Sequence, residues 1–313
     1  MERLPHDRSH LLCHDGELEG PTELFLDSID RWLKAIVADD TATDEGSGEA
    51  VQGMVFSKDA GTISGRPPIE RLVESHFPSC VIEWFVSEGG RVSKSDQILS
   101  LTGPSSSVLK CERFLLNLLG RMSGISTSTA EWVGSSAGIG IACTRKTAWG
   151  LLDKWAVNVG GGLTHRLSRS DALMIKENDL AVQEPNYKDI CMATKSVIES
   201  IDLGLHSSFT VVEVSEPRQA FAAAKAWSAV QLNRGGSEPV VLLLDNLGPS
   251  ICESIHRELV GMALRRLCIL EGSGGITKPD LESWASSGVD VVSTSEVNMA
   301  ARPLDVSMMV GEN

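Results

Sequence analysis

The chain has 313 residues, a hydrophobic fraction of 42% and a formal net charge of -14. That length allows one large or two modest domains, and the composition suits a soluble globular core. The acidic balance excludes a general nucleic-acid binder, and no apolar run reaches membrane-spanning length.

The first 20 residues are polar and mixed in charge, without a signal-peptide core. They are expected to form a loose leader on a cytoplasmic protein. Thr22 can cap a helix through "ELFLDSIDRWLKAIV", where Leu24, Phe25, Ile29, Trp32, Leu33, Ile36 and Val37 recur at helical spacing. "ADDTATDEGSGEA" reads as a loop. The runs "VQGMVF", "VIEWFV" and "QILSLTG" then read as strands, with a helix over "IERLVES". A mixed α+β domain over residues 1–127 follows, onto which 298–313 could pack back.

"CERFLLNLLGRM" is amphipathic and bridges to a second region, 128–297. There the apolar runs "IGIACT", "ALMI", "FTVVEV", "VVLLLD", "LCILE" and "VDVVS" alternate with helical stretches. Such alternation predicts a parallel sheet with crossovers. Each run ends on polar or small residues: Arg145-Lys146, Lys176, Glu213, Asp245, "EGSGG" and "STSE". In a β/α barrel these ends share one mouth. An open sheet would gather them along an edge, but so many successive contributors favour the barrel. The fold class is therefore α/β, an incomplete parallel β/α barrel with an N-terminal mixed α+β domain.

Arg113 to Lys176 carries eight Lys/Arg and only three carboxylates in an acidic chain. Arg145 and Lys146, directly after a strand, suit an anion site. Lys154 and Arg169 are expected on solvated helix faces. Ser273, Gly274 and Gly275 lie between a strand and a helix, where backbone N–H groups can bind phosphate. Glu213 and Asp245 either pair with these cations or share magnesium with substrate oxygens. His165 fits either a satisfied core position or a site. The seven cysteines are scattered without a C-x-x-C, against a disulfide framework or zinc ribbon.

The ordered motifs "ERFLLNLLGRMSGIST", "TRKTAWG", "KWAVNVGGGLTHR", "ALMIKEN", "VVEV", "LLLDN", "EGSGGI" and "GVDVVS" resemble the quinolinate phosphoribosyltransferase family. The resemblance implies transfer of phosphoribosyl from phosphoribosyl pyrophosphate to quinolinate, giving nicotinate mononucleotide, carbon dioxide and pyrophosphate for NAD biosynthesis. It implies a homodimer or higher oligomer with shared sites, and Mg2+ as cofactor. Arg113 would reach the neighbouring subunit's site. Arg145, His165, Arg166 and Lys176 would surround the acid, Lys146 would meet pyrophosphate, and Thr144 would also bind substrate. Glu213 and Asp245 would hold ribose hydroxyls and metal, and Ser273, Gly274, Gly275 and Ser295 the 5′-phosphate. The resemblance makes Arg145, Lys146, Lys176, Glu213 and Asp245 the catalytic set. The chain departs from the family pattern at Trp149, Thr164, Asp179, Val211 and Ser295. Rival expectations are a related nicotinate or molybdenum-associated phosphoribosyltransferase, or a non-catalytic metabolite-binding paralogue.

Overall fold

The structure, a computed structural model, describes residues 4–14, 18, 20–40, 46–202 and 208–311. Parts of the expected leader (1–3, 15–17, 19) and of the expected loop (41–45) lie outside the described residues. Contacts divide the chain into two compact units. One comprises Trp132–Arg145, His165–Glu296 and the described part of Met1–Asp7. The other comprises Arg8–Glu131, Lys146–Thr164 and the described part of Val297–Asn313.

In chain order the first elements are α1 (Glu23–Asp40), β1 (Ala50–Ser57), β2 (Gly61–Thr62), α2 (Arg66–His76), β3 (Val81–Trp84), β4 (Arg91–Val92), β5 (Gln97–Pro104) and α3 (Ser105–Gly134). β6 (Gly140–Cys143), α4 (Leu151–Val159), β7 (Leu173–Ile175), α5 (Glu177–Gln183), α6 (Ile190–Ser200), β8 (Thr210–Val214) and α7 (Pro217–Arg234) follow. The last are β9 (Val240–Asp245), α8 (Gly248–Gly261), β10 (Cys268–Ser273), α9 (Leu281–Ser286), β11 (Val291–Thr294), α10 (Glu296–Met299) and β12 (Val306–Gly311).

The unit that contains residues 8–131 is built on an antiparallel sheet of order β12-β1-β5-β3. β12 was not expected as a strand. It lies at the sheet edge, half to fully exposed, and lacks the buried alternation that marks a strand in sequence. The expected leader is also less loose than its polarity suggested: Ser9–Leu11 form a 3-10 turn, and Leu12 and Cys13 are buried. α4 belongs to this unit. Its Trp155 stacks on Phe25 at 4.6 Å and donates Nε1–H to the buried Glu88 at 2.7 Å. Glu88 also accepts from Ser64 and from the Gly65 and Arg66 amides. Burial nonetheless raises its carboxyl above the ordinary value.

The second unit is a six-stranded parallel sheet of order β6-β11-β10-β9-β8-β7. From β7 to β11 sequential strands are neighbours, and β11 returns to pair with β6. That is the cyclic order of a barrel with one seam, β6 to β7, left open among the described residues. α7 packs on β8 and β9, and α8 on β10, covering one face. On the other face Ala172, Phe209, Val211, Val241 and Leu243 form a core cluster with Met174 and Ile269. Side chains from four strands converging in one cluster mark this as the concave interior.

Candidate active site at the strand ends

Side-chain parity aligns the polar strand ends on the concave face. Glu213 and Glu271 both sit opposite Leu243, and Ser273 sits opposite Asp245, two residues further along β9. Successive strand residues alternate faces, so Glu213, Asp245, Glu271 and Ser273 share one face, above the apolar cluster. Lys176, just past β7, ion-pairs with Glu213 from the neighbouring strand. Thr144 follows β6, and its amide donates to the Thr294 carbonyl of β11 at 3.4 Å. Ser295 follows directly after β11.

Arg145 and Arg166 give the edge its charge. Arg145 is exposed, whereas Arg166 is only 8% exposed. The buried guanidinium has neutral partners, the Ala172 carbonyl at 3.4 Å and Met174 Sδ at 3.0 Å. Its pKa is lowered, first by burial and then by the like charges of Arg145 and Arg169. Two arginines held within Coulomb reach of each other attract an anion between them.

The geometry of the turn at Ser273–Gly275 requires glycine. Gly274 has φ +98°, and a Cβ there would lie 2.2 Å from Asn246 Oδ1. Asn246 is itself left-handed at φ +58° and donates its amide to the Ser273 carbonyl at 3.0 Å. It also donates Nδ2–H to Asp245 Oδ2 at 2.8 Å. Glu213 and Asp245 thus present an all-oxygen donor set on adjacent strand ends, the chemistry that a hard divalent cation takes.

Of the remaining expected site residues, two lie outside the strand-end unit. Arg113 and Lys146 belong to the other unit. Arg113 is exposed on α3 and lines a cavity of ≈ 500 Å³ with Asn117, Arg121, Trp149 and Asp305. Lys146 is exposed, and its carbonyl accepts from Asn298 Nδ2 at 2.8 Å. His165 does not face outward. It is 4% exposed, its Nε2 meets Glu271 Oε1 at 3.1 Å, and its Nδ1 accepts from the Arg166 amide at 2.7 Å. Both ring nitrogens are thus engaged inside the protein.

Lys154 also differs from expectation. It is 1% exposed and donates Nζ to the Thr164 carbonyl, because α4 turns that face into its unit's core. Arg169 is solvated, 3.8 Å from Asp179. Asp179 caps α5 by accepting from the Lys176 amide at 3.0 Å.

Models of two domains match the chain: the quinolinate phosphoribosyl transferase N-terminal domain over residues 39–123 and its C-terminal domain over 125–309. The chain belongs to this family. A probable nicotinate-nucleotide pyrophosphorylase [carboxylating] of Methanothermobacter thermautotrophicus is 33% identical over 298 residues, covering 91% of this chain and 99% of that protein. The human nicotinate-nucleotide pyrophosphorylase [carboxylating] is 28% identical over 289 residues, 90% of this chain and 89% of its own. The crystal structure of NadC from Streptococcus pyogenes superposes with a TM-score of 0.76 at 28% identity, covering 93% of this chain and 99% of that one. The family is one of pentosyltransferases, and this member is an enzyme. Among the described residues no helix is long and apolar enough to cross a membrane.

Two residues of the unit were not found from the sequence. Glu271 is the lone carboxylate of the apolar run "LCILE" and closes it, two residues before Ser273. That isolation, with its parity, was the available signal. His6 carried no signal at all in a polar N-terminal stretch.

Proposed function

We propose that this protein is a magnesium-dependent quinolinate phosphoribosyltransferase that releases carbon dioxide and forms nicotinate mononucleotide. The observation that carries the reading is buried Arg166 within the field of Arg145, with Lys176 directly after the parallel strand β7. Quinolinate is a dianion, and a planar guanidinium grips a carboxylate through two bonds. Arg113, exposed on α3 of the other unit, is assigned to a partner subunit's site in a homodimer or higher oligomer.

In this reading Arg145, Arg166 and Lys176 hold the diacid with its ring nitrogen toward C1′ of phosphoribosyl pyrophosphate. Asp245 and Glu213 orient the ribose hydroxyls, and the Ser273–Gly275 turn with Ser295 takes the 5′-phosphate. The nitrogen lone pair forms the bond to C1′ while the C1′–oxygen bond breaks and pyrophosphate leaves with its electron pair. Lys146 meets that leaving charge, and Thr144 lines the mouth beside it. Asp245 and Glu213 would hold magnesium, which supplies positive charge against the departing pyrophosphate. Fixed geometry and preplaced charge do the rest, without a protein nucleophile. The bond to the adjacent carboxylate then breaks with its electron pair left on the ring carbon, where the neighbouring cationic nitrogen stabilises it; carbon dioxide leaves, and that carbon takes up a proton.

The test is direct. Purified protein with phosphoribosyl pyrophosphate, magnesium and quinolinate should form nicotinate mononucleotide and carbon dioxide in equal amounts, and should leave nicotinate unused. Turnover of nicotinate alone, or of neither acid, would overturn the reading.

A further inference from the structure

The reaction as read above does not use the buried group His6, His165 and Glu271. Glu271 is fully buried, and its carboxylate meets His6 Nε2 at 3.0 Å and His165 Nε2 at 3.1 Å and 3.3 Å. The two imidazoles stand edge to face at 4.9 Å, with the Phe209 ring 5.6 Å and 6.1 Å away. Burial raises the Glu271 carboxyl, but His165 and His6 together outweigh it and hold the group well below the ordinary range. Glu271 is therefore an anion at neutral pH, and each facing Nε2 donates a proton to it.

Three such ligand atoms within 4.8 Å of one another could suggest a metal centre. The chemistry of His165 argues against one. A backbone N–H can only donate, so His165 Nδ1, which receives the Arg166 amide, carries no proton. The ring proton of neutral His165 is then on Nε2, and the lone pair that a metal would need is absent. The group is a hydrogen-bonded clamp.

The clamp acts on a strained point of the chain. His165 has φ +52°, left-handed for a non-glycine residue. Arg166 follows at once, and among the described residues its guanidinium hydrogen-bonds to neutral atoms, while Asp179 and Glu271 act on it through their field. Its aim thus depends on the backbone that His165 fixes. The N-terminal segment touches this point twice: through His6 on Glu271, and through the Arg8 amide, which donates to Thr164 Oγ1 at 2.9 Å.

We infer that His6 is a positioning residue, carried by the N-terminal segment, which sets Arg166 for the substrate carboxylate through Glu271 and His165. This rests on the reading that Arg166 binds that carboxylate.

The test uses the full chain and steady-state kinetics with quinolinate and phosphoribosyl pyrophosphate. His6→Ala should raise the quinolinate KM about tenfold, as expected for a misaimed binding group, with the phosphoribosyl pyrophosphate KM unchanged. His6→Gln, which keeps an N–H donor, should restore most of the loss. Thr164→Val, isosteric at a buried site, covers the case in which His6→Ala fails to fold, and should raise the same KM in the same sense. Unchanged quinolinate KM in the soluble variants, with only a lower melting temperature, would overturn the inference. Nitrogen-15 spectra of histidine-labelled protein give a readout independent of turnover. His165 should be protonated at Nε2 alone in the wild type at neutral pH and lose that single form in His6→Ala. Stoichiometric zinc binding by the wild type, lost in His6→Ala, would instead make the group a metal site. A wild type inactive on quinolinate would sink the reaction reading, and the spectra would then decide the clamp alone.

Discussion

Replacing Glu271 by glutamine removes one charge and almost no volume from the centre of the parallel unit. The carboxylate accepts from two imidazoles. A glutamine keeps one acceptor oxygen and turns an NH2 group toward the other N–H. His165 cannot relieve that clash by changing tautomer, because its Nδ1 is committed to the Arg166 amide. One charge-assisted hydrogen bond is lost and the other weakened. At about 1.5–3 kcal/mol for each such bond, the net loss is about 2–4 kcal/mol. For a chain of this size that corresponds to a fall of roughly 3–6 °C in melting temperature. The pH dependence has a definite sign. The folded carboxyl lies well below its ordinary value, so its stabilisation is present above an unfolded pKa of about 4.3 and is lost as pH falls through the folded value. The gap between wild type and Glu271→Gln should therefore be full at pH 7 and narrow in acid. Thermal and urea unfolding over a pH series measure both quantities. A melting temperature within about 2 °C of wild type at pH 7, or a gap that widens in acid, would refute the clamp's energetics.

Asp245→Asn should leave the melting temperature nearly unchanged and the quinolinate affinity intact, while kcat/KM for phosphoribosyl pyrophosphate falls by several kcal/mol equivalents, roughly 3–4; a destabilised protein with near-normal kinetics would make Asp245 structural. Inactive Arg113→Ala and inactive Lys146→Ala protein, mixed and allowed to exchange subunits, should regain part of the activity, and no regain would place Arg113 outside a shared site. Gly124→Ala should destabilise the protein by about 1–3 kcal/mol or more, since a Cβ would lie 2.1 Å from the Arg302 carbonyl oxygen, an overpacking that only backbone movement relieves; urea unfolding reads it. Six of the seven cysteines are buried and Cys191 is half-buried, while burial pushes the Cys252 and Cys268 thiols up to about 12. A thiol reagent at pH 8 should thus label Cys191 first in the native protein and the rest only after denaturation.

The strand-end residues were readable because an apolar run that ends on a charged residue says both where a parallel strand stops and what it presents there. Arg145, Lys176, Glu213 and Asp245 all declared themselves in this way. Burial of polar groups was not readable, since it depends on partners far away in the chain. Lys154 sits in a helix whose pattern allowed a solvated face, and only the folded unit turns it inward onto the Thr164 carbonyl. His165 and Glu271 are 106 residues apart, and His6 and Glu271 are 265 apart. No local periodicity reports such a meeting. β12 was missed because an edge strand without alternating burial shows itself only beside β1.

The strand order also bears on how the chain is made. β6 leaves the ribosome before any other strand of its sheet, yet its described ladder is with β11, the last to emerge. Nearly the whole parallel unit must be synthesised before β6 can be paired. The chain also enters the other unit again between β6 and β7, and once more after β11. Neither unit is then a continuous product that folds as it appears. Contacts this distant in sequence close slowly and leave a strand edge open meanwhile. Nascent chains halted before β11 should therefore bind holding chaperones, and release should coincide with translation of the final strands.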